Sequence, residues 1–385
     1  MSSDIPSVQS IEYKSLIVKG PFSLKTVEKL SQFWLSSRIL LMGPTGSGKS
    51  NVRRHLPSSC PLDHSHVDVL KYLETLIGDK SLGISKDQLN GVTQDIVAYE
   101  LIGVQDRVFT IGQHYLDGTI YLIDTPGFSD DKLSEARIIR KLHDWAEAKR
   151  TNARVFGMSI SCILYFDRIT DTRMSGSKKQ TLQLFRQLTG NVHEGVIIVT
   201  TMWDMLWNEQ QKQRADQRYQ QMKDRFWKVI LTPFLLYFLR TDKCTPQPYI
   251  NQKCSITKFL NTQESALEIL DLGCTHASGS IYNFESTKGT TLGQAPYGAL
   301  LTQGLQSRIL ALQQRKLHLD ADIMTHPSQS TDMEAYQQAL EERREVEAHL
   351  STLEKDLDMF NPPSTSASSY LKQKLGLGKT HKGNA

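Results

Sequence analysis

Residues Gly43 to Ser50, Gly-Pro-Thr-Gly-Ser-Gly-Lys-Ser, have the types and spacing that suit a phosphate chain. They fit G-x-x-x-x-G-K-[ST]. Around Gly43, Thr45, Gly46, Ser47 and Gly48 the backbone can turn successive N–H groups inward on a polyphosphate. Lys49 supplies a point charge for the outer phosphates, and the Ser50 hydroxyl can ligate Mg²⁺. The apolar run Arg38-Ile-Leu-Leu-Met42 leads straight into the loop, which weighs against an ordinary Gly-rich turn. The expectation is a site for a nucleoside triphosphate.

Two further boxes lie downstream. Ile120-Tyr-Leu-Ile-Asp124-Thr-Pro-Gly127 reads as a buried strand ending in a carboxylate on the Mg²⁺ side of such a site. Its D-x-x-G turn would let the Gly127 N–H reach a γ-phosphate and sense its loss. D-x-x-G alone is weak, because Asp and Gly form turns everywhere; after a strand and a phosphate loop it is strong. Val196-Ile-Ile-Val-Thr-Thr201-Met-Trp-Asp204 resembles the N-K-x-D or T-K-x-D box, in which the acid accepts from guanine N1–H and the exocyclic amine. Thr201 and Asp204 fit, while Met202 stands where Lys is usual and can still pack its stem on a purine face. The competing reading makes Asp204 a cap for the helix expected over 208–227. Between the boxes, Thr93 is the candidate sensor of Mg²⁺ and the γ-phosphate. Lys49, Thr93 and Gly127 are then the groups expected to touch the transferred phosphate, with Ser50, Thr93 and Asp124 holding the metal.

Positioning these residues takes a layered scaffold. From about residue 36 to 272, short apolar strands alternate with amphipathic stretches, the pattern of a doubly wound α/β domain with a mostly parallel sheet. Strands are expected at 38–42, 96–103, 107–111, 119–123, 161–166, 196–200 and 256–260. Helices are expected at 134–149, 178–188, 208–227 and 263–271, with Gly190 and Gly273 as C-terminal caps. Residues 1–35 read as a lead-in, 36–275 as the α/β domain and 276–360 as a helical region. Leu301, Leu305, Ile309 and Leu312 form one stripe. Tyr336, Ala339, Arg343, Val346, Leu350, Leu353, Leu357 and Phe360 follow heptad spacing, consistent with a coiled coil or an intramolecular hairpin. Residues 361–385 form a Ser- and Lys-rich tail of disordered composition.

The bulk composition narrows the partners. The 385 residues carry a net charge of +4, too small to argue for nucleic acid. Five scattered cysteines without C-x-x-C pairing predict a reducing, cytoplasmic setting and no zinc site or disulfide framework. The start is polar, with no visible signal peptide. The longest apolar run, 229–239, contains Pro233 and is too short to span a membrane, so no transmembrane segment is expected.

With these boxes in order, the chain resembles the P-loop GTPases of the translation-factor-related class. It is most similar to their septin-like branch, with immunity-associated and chloroplast-import GTPases, and within it to fungal G-domain-containing proteins. Ser81–Ser85, Leu89–Thr93, Asp124–Phe128, Thr201–Asp204 and Asn261–Ala266 carry the resemblance. It implies a G domain binding GTP and Mg²⁺, with Asn261 and Thr262 as the last base-contacting loop. A rival for that loop, Ser286-Thr-Lys288, lacks the preceding strand and following helix. The resemblance also implies slow hydrolysis, because Phe128 stands where Ras-type proteins place a water-orienting Gln. Catalytic help is then expected from elsewhere, and a homodimer through the nucleotide face or the C-terminal heptads is a candidate assembly; Arg137, Arg140 and Arg168 are finger candidates by sequence proximity alone, against a plain reading as solvated surface groups.

The chain departs from that pattern in two places. The helix expected directly after Ser50 stops at Pro57, and an amphipathic stretch ending in Gly appears only at Tyr72–Gly78, so residues 51–70 read as an insertion. Residues 229–252 interrupt the helix-to-strand rhythm in the same way. Two other readings stay open: an ATP-binding P-loop ATPase, if Met202 and Trp203 signify lost guanine reading, and a nucleotide-binding scaffold without turnover.

Overall fold

The computed structural model describes residues 13–28, 36–44, 65–79, 95–109, 115–128, 133–148, 159–171, 176–188, 195–226, 255–277, 282–283, 292–325 and 333–360. These form two compact units. The first is α/β, a seven-stranded, mostly parallel sheet with flanking helices.

Its strands are β1 (Leu16–Thr26), β2 (Ser36–Met42), β3 (Val97–Phe109), β4 (Tyr115–Asp124), β6 (Cys162–Arg168), β7 (Val196–Thr201) and β8 (Ser255–Lys258), in the order β1-β3-β4-β2-β6-β7-β8. The pairs from β4 through β2, β6 and β7 to β8 are parallel, and β1-β3 and β3-β4 are antiparallel. A separate antiparallel pair joins β5 (Ser159–Ile160) to β9 (Tyr282–Asn283). The central strands are apolar because both faces are covered: all six residues of β7 and the first six of β6 are buried.

Helices α1 (Ser65–Ile77), α2 (Glu135–Ala148), α3 (Gly176–Leu188), α4 (Glu209–Gln221) and α5 (Gln263–Ala277) connect the strands. Apolar residues of α1 and α5 recur at helical spacing and share one core with the sheet. Tyr72, Leu73 and Leu76 of α1 and Ala266, Ile269 and Leu270 of α5 meet Ile39, Leu41, Leu122 and Leu164 there. Tyr72 is fully buried, its ring 5.2 Å from Phe166 and 5.5 Å from Phe259, and its hydroxyl donates to the Ala266 carbonyl at 3.3 Å. Burial pushes its phenol far above the usual range.

Several expectations change here. The lead-in over 1–35 contains β1, an edge strand of the sheet. The two strands expected at 96–103 and 107–111 are one strand, β3, bent where its pairing slips. Gly103 sits in that bend at φ +87°, where a Cβ would collide with the Pro21 carbonyl of β1. Gly273 is no cap. It lies inside α5, where a Cβ would come within 3.3 Å of Ile39 Cδ1, so its role is close approach of helix to sheet. Gly78 does end α1, at φ +71°, with its N–H donating to the Thr75 carbonyl. That helix starts at Ser65, so the last six residues of the suspected 51–70 insertion are helical. Residues 51–64 and 229–252, Gly190, the 286–288 rival loop and the tail 361–385 lie outside the described residues.

The second unit comprises Ser134–Arg137 and the chain from Thr287. Helices α6 (Gly298–Thr325) and α7 (Met333–Phe360) pack on each other. Val346 and Leu350 of the heptad series are buried with Leu319 of α6, against which Ile309 and Leu312 also pack. The hairpin reading thus describes the stripe, and these heptad residues are occupied within the chain. Arg343, at another heptad position, instead pairs with Asp320 at 2.6 Å and Glu347 at 3.3 Å. Among the described residues, no helix is long and apolar enough to cross a membrane.

Candidate functional site at the carboxyl ends of the strands

In an open parallel sheet, ligands bind at the carboxyl ends of the strands, where loops from neighbouring strands face each other. Here β2 delivers Gly43 to that edge, β4 delivers Asp124 to Gly127, β7 delivers Thr201 to Asp204, and β8 leads into Asn261. Parallel pairing brings these loops to one side. Leu41, two residues before Gly43, lies directly opposite Asp124.

The first two loops are pinned together. The Phe128 N–H donates to the Gly43 carbonyl at 2.8 Å, and Pro44 and Phe128 form a parallel bridge. The Thr125 hydroxyl donates to the Leu41 carbonyl at 2.9 Å. A Cβ on Gly43 would lie 2.9 Å from the Phe166 carbonyl oxygen on β6, so a side chain there forces a backbone shift. Asp124 is completely buried, and its charge, after burial itself, helps push the Tyr99 phenol up. Its hard carboxylate oxygens, beside the strand end that carries Gly43, are of the kind Mg²⁺ takes. Thr45, Gly46, Ser47, Gly48, Lys49, Ser50 and Thr93 lie outside the described residues. Phe128 is 2% exposed, a core residue with an apolar ring.

The other two loops meet as well. Asn261 Nδ2 donates to Asp204 Oδ2 at 3.3 Å, and Asn261 Oδ1 accepts from the Thr75 hydroxyl at 3.2 Å. Both strand-end turns pass through the left-handed region, with φ +61° at Met202 and φ +59° at Asn261. The helix-capping reading of Asp204 fails, because Asn208 caps α4 by accepting from the Gln211 N–H at 2.8 Å.

Sequence reasoning missed what aims Asp204. Trp203 turns away into a small cluster, its indole N–H donating to the Thr200 carbonyl and hydroxyl at 3.2 and 3.0 Å. Tyr219 of α4 meets the indole edge-on at 5.8 Å, and the Lys258 ammonium sits 4.0 Å from its centroid. Asp216 holds that ammonium at 2.6 Å. Met202 packs its sulfur near the Thr170 hydroxyl, 3.4 Å away. Trp203 is anchored in this cluster, while its neighbour Asp204 stays partly open to solvent. A Trp beside the acid, followed by a helix carrying Tyr219, is the only sequence signal of this anchor.

The finger candidates are all engaged. Arg137 pairs with Asp356 at 3.0 Å, Arg140 with Asp144 at 3.6 Å and Arg168 with Asp171 at 3.4 Å. Ion pairing, rather than plain solvation, is therefore what the structure assigns them.

No protein-family model matches the sequence, and comparison with curated proteins finds no match.

Proposed function

We propose that this chain binds GTP with Mg²⁺ and hydrolyses it slowly, as a nucleotide-controlled switch or assembly module. The observation that supports this most is the meeting of Asp204 with Asn261 on the same sheet edge as the pinned Gly43 and Asp124–Gly127 loops. In this reading the phosphate-reading loops follow β2 and β4 and the base-reading loops follow β7 and β8, on one edge of one sheet.

In this reading Lys49 neutralises charge on the β- and γ-phosphates, and the Gly127 N–H reports the γ-phosphate. Ser50, Thr93 and Asp124 would hold Mg²⁺, which when bound supplies further neutralisation of the phosphates. Asp204 accepts from the guanine N1–H and exocyclic amine, while Thr201 and Asn261 complete the base site. Phe128 offers no hydrogen bond to an attacking water, so the rate is slow and help comes from outside the chain, with a second copy docked on the nucleotide face as the candidate. The heptad route to a dimer would require Val346 and Leu350 to leave their hairpin core. A reducing, cytoplasmic setting suits the buried thiols of Cys162 and Cys274.

The buried Phe128 also favours one second reading, a nucleotide-held scaffold without turnover. Competition of unlabelled ATP and GTP against a fluorescent GTP analogue, followed by product analysis after prolonged incubation with Mg²⁺, tests all three readings. GTP should compete at least tenfold better than ATP, and GDP should accumulate. Equal competition would support the ATPase, and tight GTP binding without GDP would support the scaffold.

A further inference from the structure

The base site contains one charged group that the motif reading did not include. Lys71 of α1 places its ammonium 2.7 Å from Asp204 Oδ2, the same oxygen that receives Asn261 Nδ2. Lys71 and Thr75 stand four residues apart on one face of α1, and each holds one base loop: Lys71 the Asp204 turn, Thr75 the Asn261 turn. The far end of α1 is tied to the same loop, with Gln263 Nε2 donating to the Leu76 carbonyl at 3.0 Å. The helix is therefore fixed against the base site, and Lys71 reaches it from a firm support. Its side chain is one-third exposed and that of Asp204 slightly more, so both are within reach of solvent.

Resting on the guanine reading above, we infer that Lys71 is a specificity-determining residue that donates to guanine O6 while Asp204 accepts from N1–H and the 2-amino group. Guanine presents one acceptor followed by two donors along that edge. A Lys beside an Asp presents the complementary donor and acceptor. An ammonium has three N–H donors, so Lys71 can keep Asp204 oriented with one and offer another to O6. Met202 occupies the position where the motif usually has Lys, and a thioether carries no donor; Lys71 supplies a cation to this site from a different element.

The full chain in Mg²⁺ buffer tests this with GTP and 6-thioguanosine 5′-triphosphate, which keeps both donors and replaces O6 by a poor sulfur acceptor. Wild type should bind GTP more tightly than the thio analogue. Lys71→Met keeps the apolar stem, and should weaken GTP about 10–100-fold, the worth of a charge-assisted hydrogen bond, with little effect on the analogue. Lys71→Arg should restore most of the gap. If Lys71 merely occupies Asp204 until the base arrives, Lys71→Met tightens both nucleotides, and the inference is overturned. Unchanged binding, or a parallel loss for both nucleotides, overturns it equally. Asp204→Asn separates the layers, because it should weaken both nucleotides alike. If it affects neither, the guanine reading itself fails and this inference falls with it.

Discussion

Asp106 carries a cost that a single atom exchange should remove. It lies on β3 with 4% of its surface exposed, accepting a hydrogen bond from the Ser37 hydroxyl of β2. Burial pushes its carboxyl up from an ordinary 3.8 to about 6, the Ser37 hydrogen bond works against that rise, and the negative charge of Asp271 adds to it. At 1.36 kcal/mol per pH decade, ionising Asp106 in the native state therefore costs about 3 kcal/mol. Below about pH 4 the group is protonated, folded or unfolded, and the cost is absent. Between about pH 4 and 6 the unfolded chain releases the proton while the native state keeps it, so native stability falls as pH rises; above 6 the loss is constant. Asp106→Asn keeps an acceptor for Ser37 and removes the charge, but replaces the other carboxylate oxygen by an NH₂ whose two N–H groups need partners, at about 1–2 kcal/mol. The variant should thus gain about 1–2 kcal/mol at pH 7.5, which corresponds to roughly 2–6 °C in Tm, and should gain nothing or lose slightly at pH 4. Thermal melts followed by circular dichroism across pH 4 to 7.5 measure the variant-minus-wild-type offset, in which other titrating groups cancel. An offset that stays constant with pH, or a wild type that melts higher at pH 7.5, would refute the burial argument.

Two further substitutions probe the frame. Gly43→Ala would force a Cβ to within 2.9 Å of the Phe166 carbonyl and so displace the turn after β2; if that turn binds phosphate as proposed, triphosphate affinity should drop at least tenfold in equilibrium titration, with a melting temperature within a few degrees of wild type. Asp356→Ala removes a carboxylate that is 1% exposed and holds Ser134 and Arg137; because Arg137 is itself a third exposed, urea unfolding should show a loss of about 1–3 kcal/mol from the helical unit, and a loss below about 0.5 kcal/mol would make that clasp incidental.

The central strands were legible because burial on both faces writes them as unbroken apolar runs, as at Ile39–Met42 and Val196–Val199. Three site loops were legible for a related reason: Gly43, Asp124 and Asp204 follow such strands, and with Asn261, which follows the short, half-buried β8, they arrive at one edge. What escaped depends on approach in space. β1 carries Gly20-Pro21 in its middle and alternates exposed with covered residues, which reads as a loop until β3 is seen opposite. Gly273 has the composition of a helix end, yet α5 continues through it because the sheet leaves no room for a side chain. Lys71 directly follows the apparent insertion, and nothing one-dimensional links it to an acid more than a hundred residues away. Trp203 looked like damage to a guanine box, whereas Tyr219 and Lys258 make it the anchor of that turn.

The central claim, guanine recognition by Asp204, is tested most directly by base preference in Asp204→Asn. A carboxylate only accepts, whereas an amide can also donate, so the variant should exchange a guanine partner for xanthine, which presents an oxygen in place of the 2-amino group. Competition of GTP, xanthosine triphosphate and ATP for the wild type and the variant reads this in one titration series. The account predicts that the wild type prefers GTP, and that the variant loses at least tenfold in GTP affinity while gaining in xanthosine triphosphate affinity. Unchanged GTP affinity with no gain for xanthosine triphosphate would contradict it.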